Sequence, residues 1–282
     1  MKKSALPRGI RPKAEHGQNF LMSRAILERT CEYAALSNED IVLEVGPGIG
    51  TLTEQLALRA REVHAIEIDR QFEPLLAQLQ TRFPNLHVHW GDAVEMDFPA
   101  FNKFVSNLPY KPALPLIMKL LDHEFELATV LIQQRLARRL AAKPGGQGYS
   151  RISVFVQRTA SLRLLEVVKP EHFEPPPAVD SALLRIRKTR PRFEVASEEE
   201  FRLLLDMLFL QREHTVSKAL HFAEPASKVD AVVAKLPAQL TRRVVAQVTP
   251  EEFGLIAAAV HDAGLAIPPI PDEIKRKAQK FF

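Results

Sequence analysis

The sequence is poor in cysteine and tryptophan, with one of each, and it lacks long apolar runs. The single cysteine, Cys31, excludes an internal disulfide framework and is typical of a protein in a reducing compartment. No apolar run reaches the roughly 20 residues that span a bilayer. The basic N-terminal stretch contains no apolar segment of the secretory type. We therefore expect a cytoplasmic protein that does not enter the membrane.

The charge is moderately basic, with a net charge of +4 and a pI of about 9.2. One basic cluster precedes the first acid, Glu15, and a second lies in a stretch without carboxylates between Glu126 and Glu166. Such clusters attract polyanions by releasing condensed counterions, although a solvated helix face gives the same pattern. The clusters are Lys2, Lys3, Arg8, Arg11 and Lys13, and Arg135, Arg138, Arg139, Lys143 and Arg151.

Short apolar runs alternate with helical periodicity over the first half of the chain. Strands that alternate with helices indicate βαβ units and a parallel sheet. The predicted strands are IVLEV (41–45), VHAIEI (63–68), HVHW (87–90), KFVSN (103–107) and ATVLIQ (128–133). The predicted helices are 24–36 with Ser23 as its cap, 51–61, 70–82 and 114–121. SVFVQ (153–157) and SALLRIR (181–187) look like further strands, and because no long helix joins them we predict an antiparallel edge to the sheet.

The pattern changes after about residue 190, where only helical periodicity remains. It is clearest in FRLLLDMLFL (201–210), KVDAVVAKL (228–236) and EEFGLIAAAV (251–260). The proline-punctuated end, residues 267–282, is interpreted as an arm. We therefore predict an α/β domain over residues 1–190 and a small all-helical domain with a terminal arm over residues 191–282.

Three glycines follow the first long strand, in LEVGPGIGTLT (43–53). A strand that runs into Gly46, Gly48 and Gly50 and then into a helix forms a tight turn whose backbone can approach a ligand closely. The spacing G-x-G-x-G differs from the G-x-G-x-x-G of dinucleotide-binding loops. This difference argues against an NAD-dependent oxidoreductase.

Two acids follow the next two strands. Glu67 closes the second strand, where a carboxylate can accept hydrogen bonds from both hydroxyls of a ribose. Asp92 follows the third strand and can accept from the exocyclic amine of an adenine. Because ligands bind beyond the carboxyl ends of parallel strands, these residues and the glycine turn predict a nucleoside ligand without a pyrophosphate.

The motif SNLPY (106–110) follows the fourth strand and is the most specific signal in the chain. The N6 lone pair of adenine is delocalised into the ring, so this amine is a poor nucleophile. Acceptors aimed at its N–H bonds, from the Asn107 side chain and a backbone carbonyl, favour pyramidal geometry and free the lone pair. Pro109 removes a competing donor, and Tyr110 offers a face on which a flipped base can stack. For transfer of a methyl group to this amine, positioning and electrostatics would supply most of the rate acceleration.

The nine histidines do not predict a metal site. His87 and His89 alternate on one strand and share a face, but no third ligand lies near them in the sequence. A zinc site needs three or four ligands, so we expect no metal.

These motifs occur in order with five others over about residues 13–188. The others are GQNFL (17–21), IEID (66–69), GDA (91–93), QQRLARRLAAKPGGQGYSRISVFVQ (133–157) and FEPPPAVDSALL (173–184). As a set they resemble the ribosomal RNA adenine N6,N6-dimethyltransferases, which have the erythromycin-resistance methyltransferases as relatives. The resemblance implies an α/β fold with a Rossmann-like methyltransferase sheet, a small helical C-terminal domain, and S-adenosylmethionine as cofactor.

The resemblance also implies roles for individual residues. Those expected at the cofactor are Asn19, Leu21, Gly46, Glu67, Asp92 and Asn107. Those expected at the target adenine are Asn107, Leu108, Pro109 and Tyr110, with Phe173 approaching from another side. Arg135, Arg138 and Arg139 become candidates for contacts with RNA phosphates.

The function implied by the resemblance is the dimethylation of two adjacent adenosines near the 3′ end of small-subunit ribosomal RNA. The expected partner is a small-subunit precursor particle, and the expected state is a monomer. Two alternatives stay open at this point. One is a large-subunit adenine methyltransferase of the antibiotic-resistance type, whose members more often carry Ile-Pro-Tyr in place of Leu108-Pro109-Tyr110. The other is a ribosome-assembly factor without catalytic turnover.

Overall fold

The computed structural model describes residues 6–7, 9–13 and 17–270. Three of the basic residues singled out above, Lys2, Lys3 and Arg8, lie outside this part of the chain, and so does the predicted arm beyond residue 270. Among the described residues, no helix combines the length and the apolar character needed to cross a membrane.

The described residues divide into two compact units. The first contains the chain up to Ala137 together with Ser161–Lys188, and the second contains Arg138–Ala160 together with the chain from Thr189 onwards. The two-domain division at residue 190 stays a prediction, and the structure differs from it in one respect. Residues 138–160, which the prediction included in the α/β domain, belong to the second unit.

The strands form one large sheet and one small one. In chain order they are β1 (Phe20–Leu21), β2 (Ile41–Val45), β3 (Glu62–Glu67), β4 (Leu86–Trp90), β5 (Lys103–Asn107), β6 (Leu127–Gln133), β7 (Ala160–Val168), β8 (Phe173–Glu174) and β9 (Ser181–Lys188). The large sheet has the order β4-β3-β2-β5-β6-β9-β7, and β1 pairs with β8. The strands β4, β3, β2, β5 and β6 are parallel, whereas β9 runs antiparallel to β6. The predicted parallel sheet with an antiparallel addition is confirmed.

The helices follow the predicted alternation in the first unit and fill the second. In chain order they are α1 (Arg24–Ala34), α2 (Thr51–Ala57), α3 (Glu73–Arg82), α4 (Ala113–Leu121), α5 (Gln134–Leu140), α6 (Arg151–Thr159), α7 (Glu198–Leu210), α8 (Val216–Leu220), α9 (Ala226–Lys235), α10 (Ala238–Thr241) and α11 (Pro250–Asp262). Ser23 occupies the N-cap position of α1, but its side chain makes no capping hydrogen bond.

The strand β2 shows why the apolar runs predict the sheet. Its residues IVLEV are buried except at the first position, because helices cover both faces of a parallel sheet. The side chains of Val42 and Leu43 are fully buried. On one face of the sheet, α1 and α2 contribute Ile26 and Leu56 to the core that contains Val42.

The prediction of a strand at SVFVQ (153–157) is wrong, because these residues lie within the helix α6. Short runs of β-branched and aromatic residues do not distinguish a strand from a buried helix. Two tertiary features favour the helix. Val154 is fully buried in the core of the second unit, and the Gln157 amide donates to the carbonyl oxygens of Leu140 and Ala142, at 2.8 Å each. The edge strand of the sheet is β7, which the sequence analysis missed.

The second unit encloses a core of its own. Tyr149 is fully buried there, and its hydroxyl donates to the carbonyl oxygen of Val248 at 2.8 Å. The guanidinium of Arg158, itself buried, binds Glu198 at the start of α7. The predicted helical character of the chain after residue 190 is confirmed, since all its regular structure is helical within the described range.

Candidate functional site

The glycine turn between β2 and α2 forms one wall of a cavity in the first unit. Gly46 and Gly48 have φ angles of +73° and +54°, which side-chain-bearing residues rarely adopt. A Cβ atom on Gly48 would lie 2.9 Å from the Phe20 ring. Glycine is thus required here both by backbone conformation and by the close approach of β1.

Glu67, at the end of β3, is held by backbone donors. One carboxylate oxygen accepts from the Gly48 N–H at 2.9 Å and the other from the Asp69 N–H at 2.8 Å. Burial raises the pKa of Glu67, and these hydrogen bonds oppose that rise. Each carboxylate oxygen retains capacity for a further donor such as a hydroxyl.

Asp69 ties the N-terminal segment to the same strand end. Its carboxylate accepts from the Lys13 ammonium and the Gln18 amide, each at 2.9 Å. Burial works against ionisation, but the hydrogen bonds from Lys13, Gln18 and Gln71 outweigh it and lower the pKa of Asp69 to about 2. A charged Asp69 therefore anchors the segment that leads into β1, and sequence analysis did not assign it this role.

The SNLPY motif leaves β5 at the same edge of the sheet. The Asn107 side-chain amide donates to the backbone carbonyl of Asn19 at 3.1 Å, which leaves the Asn107 Oδ1 atom as an acceptor. The Tyr110 hydroxyl lies 2.7 Å from the hydroxyl of Ser181, a fully buried residue at the start of β9. Burial raises the pKa of Tyr110, while this hydrogen bond opposes the rise. Both side chains that would hold an adenine are thus fixed by distant parts of the chain.

The cavity, of about 210 Å³, brings together all but one of the residues predicted at the cofactor and at the target adenine. Those that line it are Asn19, Leu21, Gly46, Glu67, Asp92, Asn107, Leu108, Pro109 and Tyr110. Phe173 is the exception. Its side chain is 3% exposed and packs in the hydrophobic core, because β8 pairs with β1 and turns the ring inward. The structure therefore does not place Phe173 among the residues that line this cavity.

Glu44 is a cavity residue that the sequence analysis missed. It lies on β2, its side chain is 1% exposed, and its Oε2 atom has no hydrogen-bond partner among the described residues. Burial raises the pKa of Glu44 to about 8. The signal was present in the sequence, since an acid inside the apolar run IVLEV is expected to be buried.

A family model described as ribosomal RNA adenine dimethylase matches residues 10–259 of the chain. The chain belongs to this family. A "Probable ribosomal RNA small subunit methyltransferase A" from Thermococcus gammatolerans is 40% identical over 261 residues, which cover 91% of this chain and 92% of the relative. A protein with the same description from Methanothermobacter thermautotrophicus is 37% identical over 257 residues, which cover 90% and 93%.

Two solved structures are similar to this chain and support its membership of the family. A dimethyladenosine transferase from Plasmodium falciparum has a TM-score of 0.78 at 25% identity, covering 88% of this chain and all of that one. The 23S rRNA methyltransferase ErmE has a TM-score of 0.68 at 30% identity, covering 86% and 100%. The predicted fold, a Rossmann-like methyltransferase sheet with a helical C-terminal region, is confirmed.

The cavity of this rRNA adenine dimethylase fits S-adenosylmethionine, the methyl donor that membership of a methyltransferase family implies. The cofactor carries cationic groups and a ribose, and the cavity offers a counterpart to each. The Glu44 Oε2 atom is a buried carboxyl oxygen without a partner among the described residues, and a positive charge beside it would favour the ionised form of this acid. Glu67, held by the backbone N–H groups of Gly48 and Asp69, also lines the cavity and can accept from hydroxyls.

The three arginines predicted to bind RNA differ in their surroundings. Arg135 and Arg138 are exposed on α5. Arg139 is half-buried, and its guanidinium donates to the Ser150 hydroxyl at 3.1 Å. Arg139 therefore has a structural contact that Arg138 lacks in the described part of the chain, and the predicted phosphate contacts of all three remain predictions.

The fold brings His64 and Glu62 of β3 beside the two histidines of β4. The His64 ring lies 3.0 Å from His89 between nitrogen atoms, and Glu62 lies 3.1 Å from His64 and 3.4 Å from His87. Burial lowers the pKa of His64 and of His89. Over residues 6–7, 9–13 and 17–270, however, no three or more His, Cys, Asp or Glu side chains are arranged to hold a metal ion.

Proposed function

We propose that this protein dimethylates the N6 amines of two adjacent adenosines near the 3′ end of small-subunit ribosomal RNA, using S-adenosylmethionine. The observation that carries the proposal is the hydrogen bond from the Asn107 amide to the Asn19 carbonyl at the cavity wall. It fixes the orientation of the Asn107 side chain, whose Oδ1 atom is the acceptor for a target amine.

The chain's own residues would prepare the amine for attack. Asn107 Oδ1 and a backbone carbonyl of the motif would accept hydrogen bonds from the two N6–H groups. These bonds would favour a pyramidal nitrogen, whose lone pair is less delocalised into the ring. Pro109 supplies no competing N–H, and Tyr110, held by Ser181, would stack on the base. The bound cofactor supplies a methyl group activated by its sulfonium. Such preorganised polar groups, with the reactants held in position, account for most of the rate of many enzymes.

We propose for the remaining residues the cofactor roles that the resemblance implies, and their positions in the cavity lining support these roles. Gly46 allows close approach to the amino-acid part, Glu67 accepts from the ribose, and Asp92 accepts from the adenine amine. Asn19 and Leu21 belong to the segment that covers this ligand, which Asp69 anchors through Gln18.

We propose small-subunit RNA rather than large-subunit RNA as the substrate for two reasons. The relatives at 40% and 37% identity are described as small-subunit methyltransferases, whereas ErmE, described as a 23S rRNA methyltransferase, is 30% identical. The motif here is also Leu108-Pro109-Tyr110 rather than Ile-Pro-Tyr. We further propose a monomer that acts in the cytoplasm on a small-subunit precursor particle.

The proposal is tested by transfer of labelled methyl groups. The purified protein is incubated with methyl-labelled S-adenosylmethionine and either small or large ribosomal subunits that lack adenine dimethylation. We expect label on small subunits only, recovered as N6,N6-dimethyladenosine at two adjacent positions near the 3′ end.

Two outcomes would overturn the proposal in different ways. Label confined to large-subunit RNA would assign the protein to the antibiotic-resistance type. Binding of the cofactor without methyl transfer to either subunit would indicate that the protein is a ribosome-assembly factor without catalytic turnover. The Asn107→Ala variant serves as the control for methyl transfer that does not depend on the cavity.

A further inference from the structure

The segment that carries Asp92 crosses the sheet without a helix. Residues 91–102 join β4 to β5, which are parallel and separated by β3 and β2 in the sheet. Crossovers between parallel strands usually contain an α-helix, which satisfies its own backbone groups. Within the described chain, residues 91–102 form turns but no helix. The carbonyl groups of this segment must therefore find donors elsewhere.

One side chain supplies donors to three of these carbonyl groups, whereas the carbonyls of Asp92 and Asn102 accept from backbone N–H groups. The Lys119 ammonium, on α4, donates to the carbonyl oxygens of Ala93 at 3.0 Å, of Val94 at 2.9 Å, and of Met96. It also lies 4.6 Å from the centre of the Phe98 ring, within cation–π range. An ammonium has three N–H donors, so all three can be used on this one segment.

These contacts act on the cavity through its lining. Ala93 and Val94 line the cavity beside Asp92, whereas Lys119 does not. The Val94 N–H donates in turn to the Asp92 carboxylate at 2.9 Å. The chain of contacts thus runs from Lys119 through the Val94 peptide groups to the carboxylate of Asp92, a residue that lines the cavity.

We propose that Lys119 is a positioning residue that sets the preference of this protein for adenine over a 6-oxopurine in its cofactor. The proposal rests on the proposed function, in which Asp92 accepts from the adenine amine. A carboxylate placed to accept an N–H rejects a ligand that presents an oxygen in the same place, because two acceptors then face each other. That rejection needs a carboxylate held in position.

A purely structural role for Lys119 makes a different prediction. If the ammonium only stabilised the crossover, its loss would lower the melting temperature and weaken all ligands alike. If it positions Asp92, its loss must change the ratio of affinities for two ligands that differ only at the purine 6-position. The ratio separates the two roles.

The experiment measures dissociation constants by calorimetry on the full chain. The probes are S-adenosylhomocysteine and S-inosylhomocysteine, which differ in the 6-amino and 6-oxo groups. We expect the wild-type protein to prefer the adenosyl probe by at least about tenfold, and Lys119→Met to reduce this preference to about threefold or less. Lys169→Met is the matched control. Its side chain is 57% exposed and paired only with Asp180 among the described residues, and we expect it to leave the ratio unchanged.

Asp92→Asn distinguishes failure of this inference from failure of the proposed function. We expect Asp92→Asn to lose or reverse the preference, and Lys119→Met added to it to change the ratio no further. If Asp92→Asn loses the preference and Lys119→Met keeps it, the role of Lys119 is overturned and that of Asp92 stands. If Asp92→Asn keeps the wild-type preference, both are overturned. Should Lys119→Met fail to fold, Lys119→Gln, which keeps two N–H donors, gives the same test with an intermediate loss expected.

Discussion

In the proposed mechanism, Asn107 combines two roles within one side chain. Its amide nitrogen is bound to the Asn19 carbonyl, and its oxygen is thereby available to a substrate amine. Because the hydrogen bond is made by the protein alone, the acceptor is oriented before any base enters. Orientation in advance avoids the cost of reorganising the site during the reaction.

We expect Asn107→Ala to lower kcat by about 10²- to 10³-fold, by analogy with the loss of one preorganised hydrogen-bonding group. The dissociation constant of the cofactor should rise much less than kcat falls, because the lost acceptor faces the substrate amine and only the lost bond to Asn19 bears on the cofactor segment. Single-turnover methyl transfer and calorimetry measure the two quantities.

Asn85→Ala is the matched control for this change. The Asn85 amide also donates to backbone carbonyls, those of Ala57 and Ala60, but outside the cavity lining. It should lower the melting temperature and leave kcat unchanged. Equal kcat values for Asn107→Ala and wild type would remove Asn107 from the mechanism.

Glu44 gives the protein a specific dependence of stability on pH. Its pKa rises from 4.5 to about 8 on burial, so between these values the folded state holds a proton that the unfolded state has lost. Stability from this group is present below pH 4.5 and is lost as pH rises through 8.

We therefore expect Glu44→Gln to stabilise the protein relative to wild type at pH 8.5 more than at pH 5. The difference should be on the order of 2–4 kcal/mol, since each pKa unit corresponds to about 1.4 kcal/mol. Unfolding by denaturant at the two pH values measures it. A difference between variant and wild type that does not change with pH would show that Glu44 titrates normally.

At the scale of elements, the turn from β2 into α2 depends on the strand β1 that packs over it. Phe20 of β1 lies where a side chain on Gly48 would be. β1 is in turn paired with β8. This pairing joins the motifs GQNFL and FEPPPAVDSALL, which lie about 150 residues apart in the chain. The cover of the cavity is therefore built from both ends of the α/β unit.

We expect Gly48→Ala to weaken cofactor binding by tenfold or more and to lower the melting temperature. The added methyl group would displace Phe20 and strain a backbone with positive φ. Gly264→Ala is the control, because Gly264 has a similar φ of +59° but only the end of the Lys228 side chain nearby. Gly264→Ala should lower the melting temperature without changing the affinity for the cofactor. An unchanged cofactor affinity in Gly48→Ala would contradict this account of the turn.

At the scale of the whole molecule, the net charge of +4 favours association with RNA, which is a polyanion. Counterion release makes such binding fall steeply with salt, with a slope of about 0.9 for each phosphate neutralised on a duplex. The exposed side chain of Arg138 on α5 is suited to a phosphate contact, whereas Arg139 also binds Ser150.

We expect Arg138→Gln to reduce the slope of log affinity against log salt by about one, without a change in melting temperature. Arg139→Gln should in addition lower the melting temperature because it loses the bond to Ser150. Arg24→Gln, at a side chain 85% exposed on α1, controls for the loss of net charge. Filter binding to ribosomal RNA across a salt series provides the slopes, and the same slope for Arg138→Gln and wild type would exclude that contact.

Much of the sheet and of the cavity could be predicted because local patterns carry them. IVLEV coincides with β2, since a strand buried on both faces reads as an apolar run. KFVSN coincides with β5, whose first four residues are buried although Lys103 and Ser106 are polar. Residues at the carboxyl ends of parallel strands then meet at one edge, which brings Gly46, Glu67, Asp92 and Asn107 to one cavity. Periodicity failed at SVFVQ, where burial in the second unit selected a helix.

The sequence by itself determined the family, the parallel sheet and the identity of the groups at its edge, because apolar periodicity and motif spacing are local properties of the chain. Only the tertiary structure decided what each group contacts: Asn107 with Asn19, Lys119 with the carbonyls beside Asp92, and Phe173 with the core. Such partners lie far apart in the chain, and their contacts depend on how completed elements pack. A local pattern contains no information about that packing.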